Sequence, residues 1–304
     1  MIDIIIVNWN AGSQLRDCIA SVRAFGAGVV GQCIVVDNGS SDGSADFLDG
    51  ASDVTLIRAG ANLGFGRACN LGAAQGNGAH ILFLNPDARL LAGSLPGVAG
   101  YLDDPAHFAT GIVGVQLIHA DGKVQRSCAR FPTALRLVAH SFGLTALFKR
   151  LDFQMLEWPH DETRQVDQVI GAFFVVRRAL FQRLGGFDER FFVYFEDVDL
   201  SRRAVNLGFH SIYLAETQAW HRGGGVSEQV KAHRLFYSLR SRLLYASKHF
   251  SRLGAISVAL AALVVEPVSR AGLLIATRRA HELPDLAHAY RMLWGWLLTQ
   301  AGGR

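Results

Sequence analysis

The sequence predicts an α/β fold: a mostly parallel, doubly wound sheet with a mixed-sheet insertion, followed by a C-terminal helical region. Three observations predict it. Short apolar runs at 4–7, 33–36, 54–58 and 81–84 alternate with helical patterns, which is the rhythm of strand–helix–strand units. Runs such as Ile4-Ile5-Ile6-Val7 are continuously apolar, as strands covered on both faces must be. A turn signal, Ala120-Asp121-Gly122-Lys123, then inserts a hairpin and makes the sheet mixed.

Each element follows in order. Residues 4–7 end at Asn8-Trp9-Asn10, and the spacing predicts a helix over Ser13–Phe25. Leu15, Cys18, Ile19 and Val22 form its apolar stripe and Ser13 is placed as its cap. The run 33–36 enters Asp37-Asn38-Gly39-Ser40-Ser41, which is turn chemistry, before a helix begins over 44–48. After the third strand, Asn62-Leu63-Gly64-Phe65-Gly66 is a loop that opens a helix reaching 74. It lacks the third glycine of a dinucleotide-binding loop. The fourth strand ends at Asn85-Pro86-Asp87. Ligands of such sheets bind beyond the carboxyl ends of the strands, so 8–10, 37–41 and 85–87 share one rim. Two readings stay open there: ligand contacts, or an Asx turn at Asp37-Asn38 and a helix cap at Asp87.

In the middle of the chain, 90–101 reads as a helix, 111–117 as a strand and 124–128 as its hairpin return. Arg126 and Arg130 are either phosphate contacts or solvated surface. The apolar stretch 133–151 is either a membrane-facing amphipathic helix or a packed one. Residues 157–167 read as a polar loop or lid, 169–176 as a core strand and 177–184 as a short helix. The stretch 187–200 then crowds aromatics ahead of Glu196, Asp197 and Asp199. Either it delivers a general base to a pocket floor, or its acids merely suit a first helical turn. In a helix Asp199 lies about 200° round from Asp197, so it is read as structural, pairing with Arg202 or Arg203. His221 is by default a satisfied core histidine, but it precedes Gly223-Gly224-Gly225, which permits close backbone approach to a ligand.

The C-terminal region opens with a basic, aromatic helix over 232–250. Residues 253–265 carry no charge, and after Glu266-Pro267 the apolar pattern resumes over 268–276. A spanning helix needs about 20 apolar residues. The acid, proline and Arg270 in the middle favour two shorter helices lying on a membrane between Arg252 and Arg278-Arg279. A packed helical pair or a dimer interface is the other reading.

Composition bounds the function. A chain of 304 residues holds one large domain or two smaller ones, and half of it is hydrophobic. A formal charge of +4 suits anionic small molecules or an anionic membrane surface and is too weak to indicate nucleic acid. Cys18, Cys33, Cys69 and Cys128 form no Cys-x-x-Cys pair, so neither a disulfide framework nor a zinc site is expected. A reducing, cytoplasmic compartment fits them. The opening residues have no basic region or cleavage site of a signal peptide.

In their order and spacing, Ile-Val-Asn-Trp-Asn at 6–10, Val-Val-Asp-Asn-Gly-Ser at 35–40, Asn-Leu-Gly-Phe-Gly at 62–66 and Leu-Asn-Pro-Asp at 84–87 resemble inverting family-2 glycosyltransferases of the GT-A fold. Gly-Gly-Phe-Asp-Glu-Arg-Phe-Phe at 185–192, Glu-Asp-Val-Asp-Leu at 196–200 and Trp-His-Arg-Gly-Gly-Gly at 220–225 extend the resemblance. Within that family the chain resembles the rhamnosyltransferase-like branch.

The resemblance implies that Asp37 bonds the nucleotide base and that Asn10 lies by the nucleoside. Asn62 and Asn85 sit in the donor-binding motifs. Asp87 takes the place of the metal-binding aspartate, His221 completes the metal site, Asp197 is the catalytic base and Glu196 orients the acceptor or the base. Asn85 stands where many relatives carry a first aspartate, which leaves a Mg²⁺ or Mn²⁺ site one carboxylate poorer. The implied reaction moves a sugar from a nucleotide-sugar donor, dTDP-rhamnose in that branch, to a hydroxyl of a lipid-linked or growing glycan. Its setting is bacterial surface polysaccharide synthesis at the inner face of the membrane. The implied division is a catalytic domain over 1–228 and a helical region over 229–304 that contacts the membrane peripherally or supports a homo-oligomer.

The chemistry agrees independently. Charge building on the leaving diphosphate calls for a divalent cation, and inversion needs one base on the opposite face. A glycosidase would need two carboxyls flanking one bond. A sugar-nucleotide pyrophosphorylase would carry a basic, Gly-rich signature after the first strand, and 8–12 has no basic residue. A non-catalytic scaffold has no need to hold Asp87, Asp197 and His221 together.

Overall fold

A computed structural model describes residues 1–223 and 231–302. Gly224 and Gly225, and the expected boundary at 228, lie outside the described residues. The chain divides into two units. One comprises Met1–Phe131, Trp158–Phe192 and Glu196–Val226; the other comprises Pro132–Glu157, Val193–Phe195 and Ser227–Arg304.

The strands are β1 Ile2–Asn8, β2 Val30–Asp37, β3 Thr55–Arg58, β4 His80–Leu84, β5 Ala88–Leu90, β6 Thr110–Ile118, β7 Val124–Gln125, β8 Cys128–Ala129, β9 Arg164–Val166, β10 Gln168–Val169, β11 Phe173–Arg177 and β12 His210–His221. The helices are α1 Ser13–Phe25, α2 Phe65–Ala73, α3 Ser94–Asp103, α4 Ala134–Ser141, α5 Leu144–Leu147, α6 Arg178–Arg183, α7 Glu196–Asn206, α8 Lys231–His249, α9 Arg252–Ala276 and α10 Leu283–Gly302.

In the first unit the path β3-β2-β1-β4-β11-β6-β12-β5 forms one mixed sheet, with β7 on β6 and β9 on β12. β1, β2, β3 and β4 are parallel neighbours, so their carboxyl ends reach one rim as the sequence predicted. β11 enters antiparallel between β4 and β6. Both faces are covered, which is why the strands read as unbroken apolar runs. Ile4, Ile6 and Leu82 join Leu15, Ile19, Leu95 and Val98 in one core cluster. On the other face Phe83 packs edge-on to Phe187 at 4.9 Å and tilted against Phe181 at 5.3 Å. A Cβ at Gly72 would come within 2.5 Å of Ile5 Cγ2, so α2 reaches that face only because position 72 is glycine. Each fully buried Ile contributes on the order of 2 kcal/mol.

Several elements differ from the sequence reading. Gly12, at φ 56°, caps α1, and Ser13 is its first residue. The expected helix over 44–48 shrinks to a 3₁₀ turn, Asp46–Leu48. Residues 88–90 form β5 because they find a partner in β12, so α3 starts later, at Ser94. The expected polar loop or lid over 157–167 is exposed over 161–165 but anchored, with Trp158, His160 and Val166 buried and β9 paired with β12. The run 169–176 breaks at 170–172 into β10, which pairs with β8, and β11, which joins the main sheet.

In the second unit, α4 begins at a Thr133 cap and ends at Ser141, where Gly143 in a left-handed conformation precedes the short α5. The expected pair of helices over 253–276 is a single helix, α9. Pro267 cannot donate a backbone hydrogen bond. A π-helical turn over Ala261–Val265 loosens the ladder just ahead of it, and the ring is accommodated without a break. Glu266 is buried, held by Arg242 at 2.5 Å, by Arg270 at 2.7 Å and by Ser141 Oγ at 2.8 Å. Burial opposes its ionisation, but the two guanidinium groups outweigh it and hold its pKa at about 2. Leu239, Ala262, Leu286, Tyr290 and Leu293 close a core between α8, α9 and α10.

Candidate active site

The parallel half of the sheet builds the first part of the rim. Asn8 and Asp37 are register partners at the ends of β1 and β2, and Asp37 is the partner of Arg58 on β3. Asn8 Nδ2 donates to Asp37 Oδ1 at 3.1 Å and also reaches the Ser40 and Ser44 hydroxyls at 3.0 and 2.8 Å. Asp37 Oδ2 lies 3.6 Å from the Arg58 guanidinium. Asn10 takes a left-handed φ of 51°, and its side-chain oxygen accepts from Ser41 N–H at 2.8 Å. Asn tolerates that conformation, and it ties the end of β1 to the loop after β2. Asn62 acts as a clasp. Its oxygen accepts from Asn38 Nδ2 and from Gly64 N–H, both at 3.0 Å. At Gly64, φ is +86° and a Cβ would stand 2.5 Å from Phe192 O, so only glycine lets this loop approach so closely.

A second part comes from β4, β5 and β12. Asn85 N–H donates to Ala172 O at 3.0 Å, fixing the Asn-Pro-Asp turn against the break between β10 and β11. β5 then pairs with the end of β12, and Ala88 faces His221 in that register. The pairing brings Asp87 beside His221, with Oδ1 and Nε2 3.3 Å apart and both residues buried. His221 Nδ1 bonds Gln125 Oε1 on β7 at 2.7 Å. That bond fixes the orientation of the imidazole, with Nε2 turned to the Asp87 carboxylate. An imidazole nitrogen and a carboxylate oxygen are ligand types that divalent ions take. Adjacent ligands of one ion, each about 2.1 Å from it, stand at a comparable separation. The pair therefore fits a divalent metal. Among the described residues no group of three or more His, Cys, Asp or Glu gathers as a fuller cage.

The third part is the start of α7. Asp197 Oδ2 accepts from Gly171 N–H at 3.0 Å and Gln168 Nε2 at 2.9 Å, while Oδ1 accepts from Val198 N–H at 2.8 Å. Burial raises the Asp197 pKa against the pull of these bonds. Glu196 is more deeply buried, and its Oε2 finds no hydrogen-bond partner. Burial, and then the Asp197 charge, push its pKa well above the carboxylate range. Burial raises both carboxyls, Glu196 the further of the two, which leaves Asp197 the easier to ionise. Asp199 pairs with Arg203 at 2.7 Å, fully buried, as the helical spacing required. Tyr194 and Phe195, just before α7, both have positive φ, at 69° and 67°. Such backbone strain marks positions that the surroundings must hold in place.

A buried acid whose folded pKa is raised adds stability below its unfolded value and loses it as pH climbs toward the folded value. Glu196→Gln is therefore expected to raise unfolding stability by about 1 kcal/mol or more near pH 8, with the gain vanishing near pH 4. Thermal melts at the two pH values check this. An equal change at both contradicts it.

Sequence reading named Asn10, Asp37, Asn62, Asn85, Asp87, Glu196, Asp197 and His221. The structure brings Asp87 to His221 and joins Asn85 and Asp197 to the two consecutive residues Ala172 and Gly171. Gln125, Gln168 and Arg58, which buttress His221, Asp197 and Asp37, carry no signal in the sequence. Gln125 and Gln168 lie in two-residue strands with no pattern to flag them.

With this geometry in hand, the comparisons with known proteins agree. The model of the glycosyl transferase family 2 matches residues 3–185. The chain is 29% identical over 237 residues to the N-acetylglucosaminyl-diphospho-decaprenol L-rhamnosyltransferase of Mycobacterium tuberculosis, covering 73% of this chain and 76% of that protein. Among solved structures it resembles the mannosyltransferase PcManGT from Pyrobaculum calidifontis in complex with GDP-Man and Mn²⁺. The TM-score is 0.55 at 16% identity, over 99% of this chain and 79% of the other. S. aureus TarS 1-349 in complex with UDP-GlcNAc gives 0.54 at 16%, over 95% and 79%. A mixed α/β sheet with this rim is the GT-A glycosyltransferase fold. The chain belongs to glycosyltransferase family 2, and the pyrophosphorylase and scaffold alternatives fall away.

Proposed function

We propose that the enzyme transfers a sugar from a nucleoside-diphosphate sugar to a hydroxyl of a lipid-linked or growing glycan, with inversion at the anomeric carbon and with Mg²⁺ or Mn²⁺. The observation that carries this reading is the opposed pair of Asp87 and His221, Asp87 lying two residues on from Asn85, whose N–H is bonded to Ala172 beside the Gly171 that donates to Asp197. Asp37, with Asn10 beside it, receives the base and nucleoside, and the Asn62 clasp holds the neighbouring loop in shape. Asn85 and Asp87 lie against the diphosphate.

Asp87 and His221 would hold the divalent ion, which when bound offsets the negative charge that builds on the leaving diphosphate. Asp197 removes the acceptor proton as the hydroxyl oxygen attacks the anomeric carbon. Gly171 and Gln168 hold its carboxylate in place, and the higher-shifted Glu196 leaves Asp197 the easier of the two to ionise. One base and direct displacement imply inversion.

The similarity to the mycobacterial L-rhamnosyltransferase supports a rhamnosyl donor, which we take as dTDP-rhamnose, and a polyprenyl-diphosphate-linked acceptor, with a place in bacterial surface polysaccharide synthesis. The site would then work at the cytoplasmic face of the membrane, with catalysis in 1–228 and attachment in 229–304. The test is a panel of nucleotide sugars with a polyprenyl-diphosphate glycan acceptor, following nucleoside diphosphate release. Acceptor-dependent release from one donor, abolished by EDTA, is expected. No release from any donor contradicts the reading.

A further inference from the structure

The second unit turns the usual pattern of a helix inside out. On α9, Leu253, Ile256, Leu260, Val264, Val268 and Ile275 are 54–81% exposed, while Glu266 is buried in its ion cluster. The exposed positions follow one another at intervals of three or four, apart from the step between Val268 and Ile275. The π-helical turn over Ala261–Val265 keeps that stripe in line, because its wider turns offset the drift that successive intervals of four produce. No polar side chain interrupts the stripe: Gly272 fills its remaining step. In the same unit Phe142, Leu147 and Phe148 are also more than half exposed, directly ahead of Lys149 and Arg150. An apolar face of this size on a helix of 25 residues, about 37 Å long, calls for a cover.

Charge identifies the cover. Between residues 231 and 302 there are ten Lys and Arg against three Asp and Glu, in a chain whose whole formal charge is only +4. Arg252 opens α9, and Arg278 and Arg279 follow its end, all exposed. A second copy would set this excess against itself, whereas anionic headgroups complement it. We infer that the outward stripe of α9 is a bilayer-docking face, lying in the plane of an anionic membrane with the arginines at its ends in the headgroup layer. A crossing helix is not needed. The inward face of α9 carries Glu266, Arg270 and Ser269, bonded to Arg242 and Ser141 within the unit, so only one side of it is apolar. The inference deepens the membrane-face location proposed above. Its test requires neither donor nor acceptor, so its failure leaves the transfer reading standing.

The full chain is sedimented with vesicles of phosphatidylglycerol and phosphatidylethanolamine, and with phosphatidylcholine vesicles as the neutral control. Expected is binding to the anionic vesicles that salt weakens, with at least about tenfold less on the neutral ones. Leu260→Glu with Val264→Glu is expected to reduce anionic binding by about tenfold or more while circular dichroism and melting stay unchanged. The inference is overturned if wild type stays in the supernatant, or if the folded double variant binds as wild type does. It is also overturned if wild type is a dimer that the substitutions split without any vesicle binding, or if bound protein resists both high salt and alkaline carbonate, as a crossing helix would.

Discussion

Asp197→Asn is expected to slow sugar transfer by about 10³-fold while leaving donor affinity within about twofold, because a general base contributes on the order of 10²–10⁴ in rate. The structure makes this substitution a clean one. Asp197 accepts three hydrogen bonds, from Gly171, Gln168 and Val198. An Asn oxygen turned toward Gly171 and Gln168 keeps two of them and gives up the third, so the start of α7 stays in place. Burial raises the Asp197 pKa, so the wild-type rate is expected to fall on acidification above the usual carboxylate range. That acid limb is expected to disappear from the residual activity of the variant. Turnover and donor titration, measured side by side, check the prediction. Transfer at the wild-type rate contradicts it. Loss of donor affinity to match the loss of rate would assign Asp197 to binding.

Asp87→Ala is expected to cost transfer about as much, roughly 10³-fold, with a steep rise in the divalent ion needed for half-maximal rate. Asp87 is the carboxylate that faces His221 Nε2 among the described residues, and Asn85 adds no charge beside it. At the proposed metal site, its removal would leave a single imidazole. The same reasoning predicts the opposite response to Asn85→Asp: a second carboxylate lowers the required ion concentration by about tenfold. Titrations with Mn²⁺ and Mg²⁺ after EDTA treatment decide both. Full activity of Asp87→Ala at the wild-type ion concentration would place the metal elsewhere.

How much of this was legible depends on the kind of contact. The parallel half of the sheet was, because Ile4–Val7 and its counterparts are apolar on both faces and end in polar turns at Asn8, Asp37 and Asn85. The spacing of α7 was legible too: it separated Asp199 from Asp197 before any coordinates did. The meeting of Asp87 and His221 was not. It rests on β5 pairing with the far end of β12, more than a hundred residues away, and only the family resemblance placed those two residues together. The break at 170–172 was hidden because the stretch is apolar throughout, and Gly171 alone hinted that a peptide N–H would turn toward Asp197. Pro267 misled for a physical reason. The missing N–H ordinarily ends a helix, and nothing in the apolar run 261–265 announces the π-helical turn that accommodates it.

The central claim is that one base at Asp197 drives a direct displacement on a donor held at the Asp37–Asp87 rim. The anomeric configuration of the product, read by NMR from a reaction with the donor the enzyme accepts and a divalent ion, tests it most directly. Inversion at the transferred carbon is the predicted result. Retention would require a second nucleophilic or internal-return step and would contradict the account.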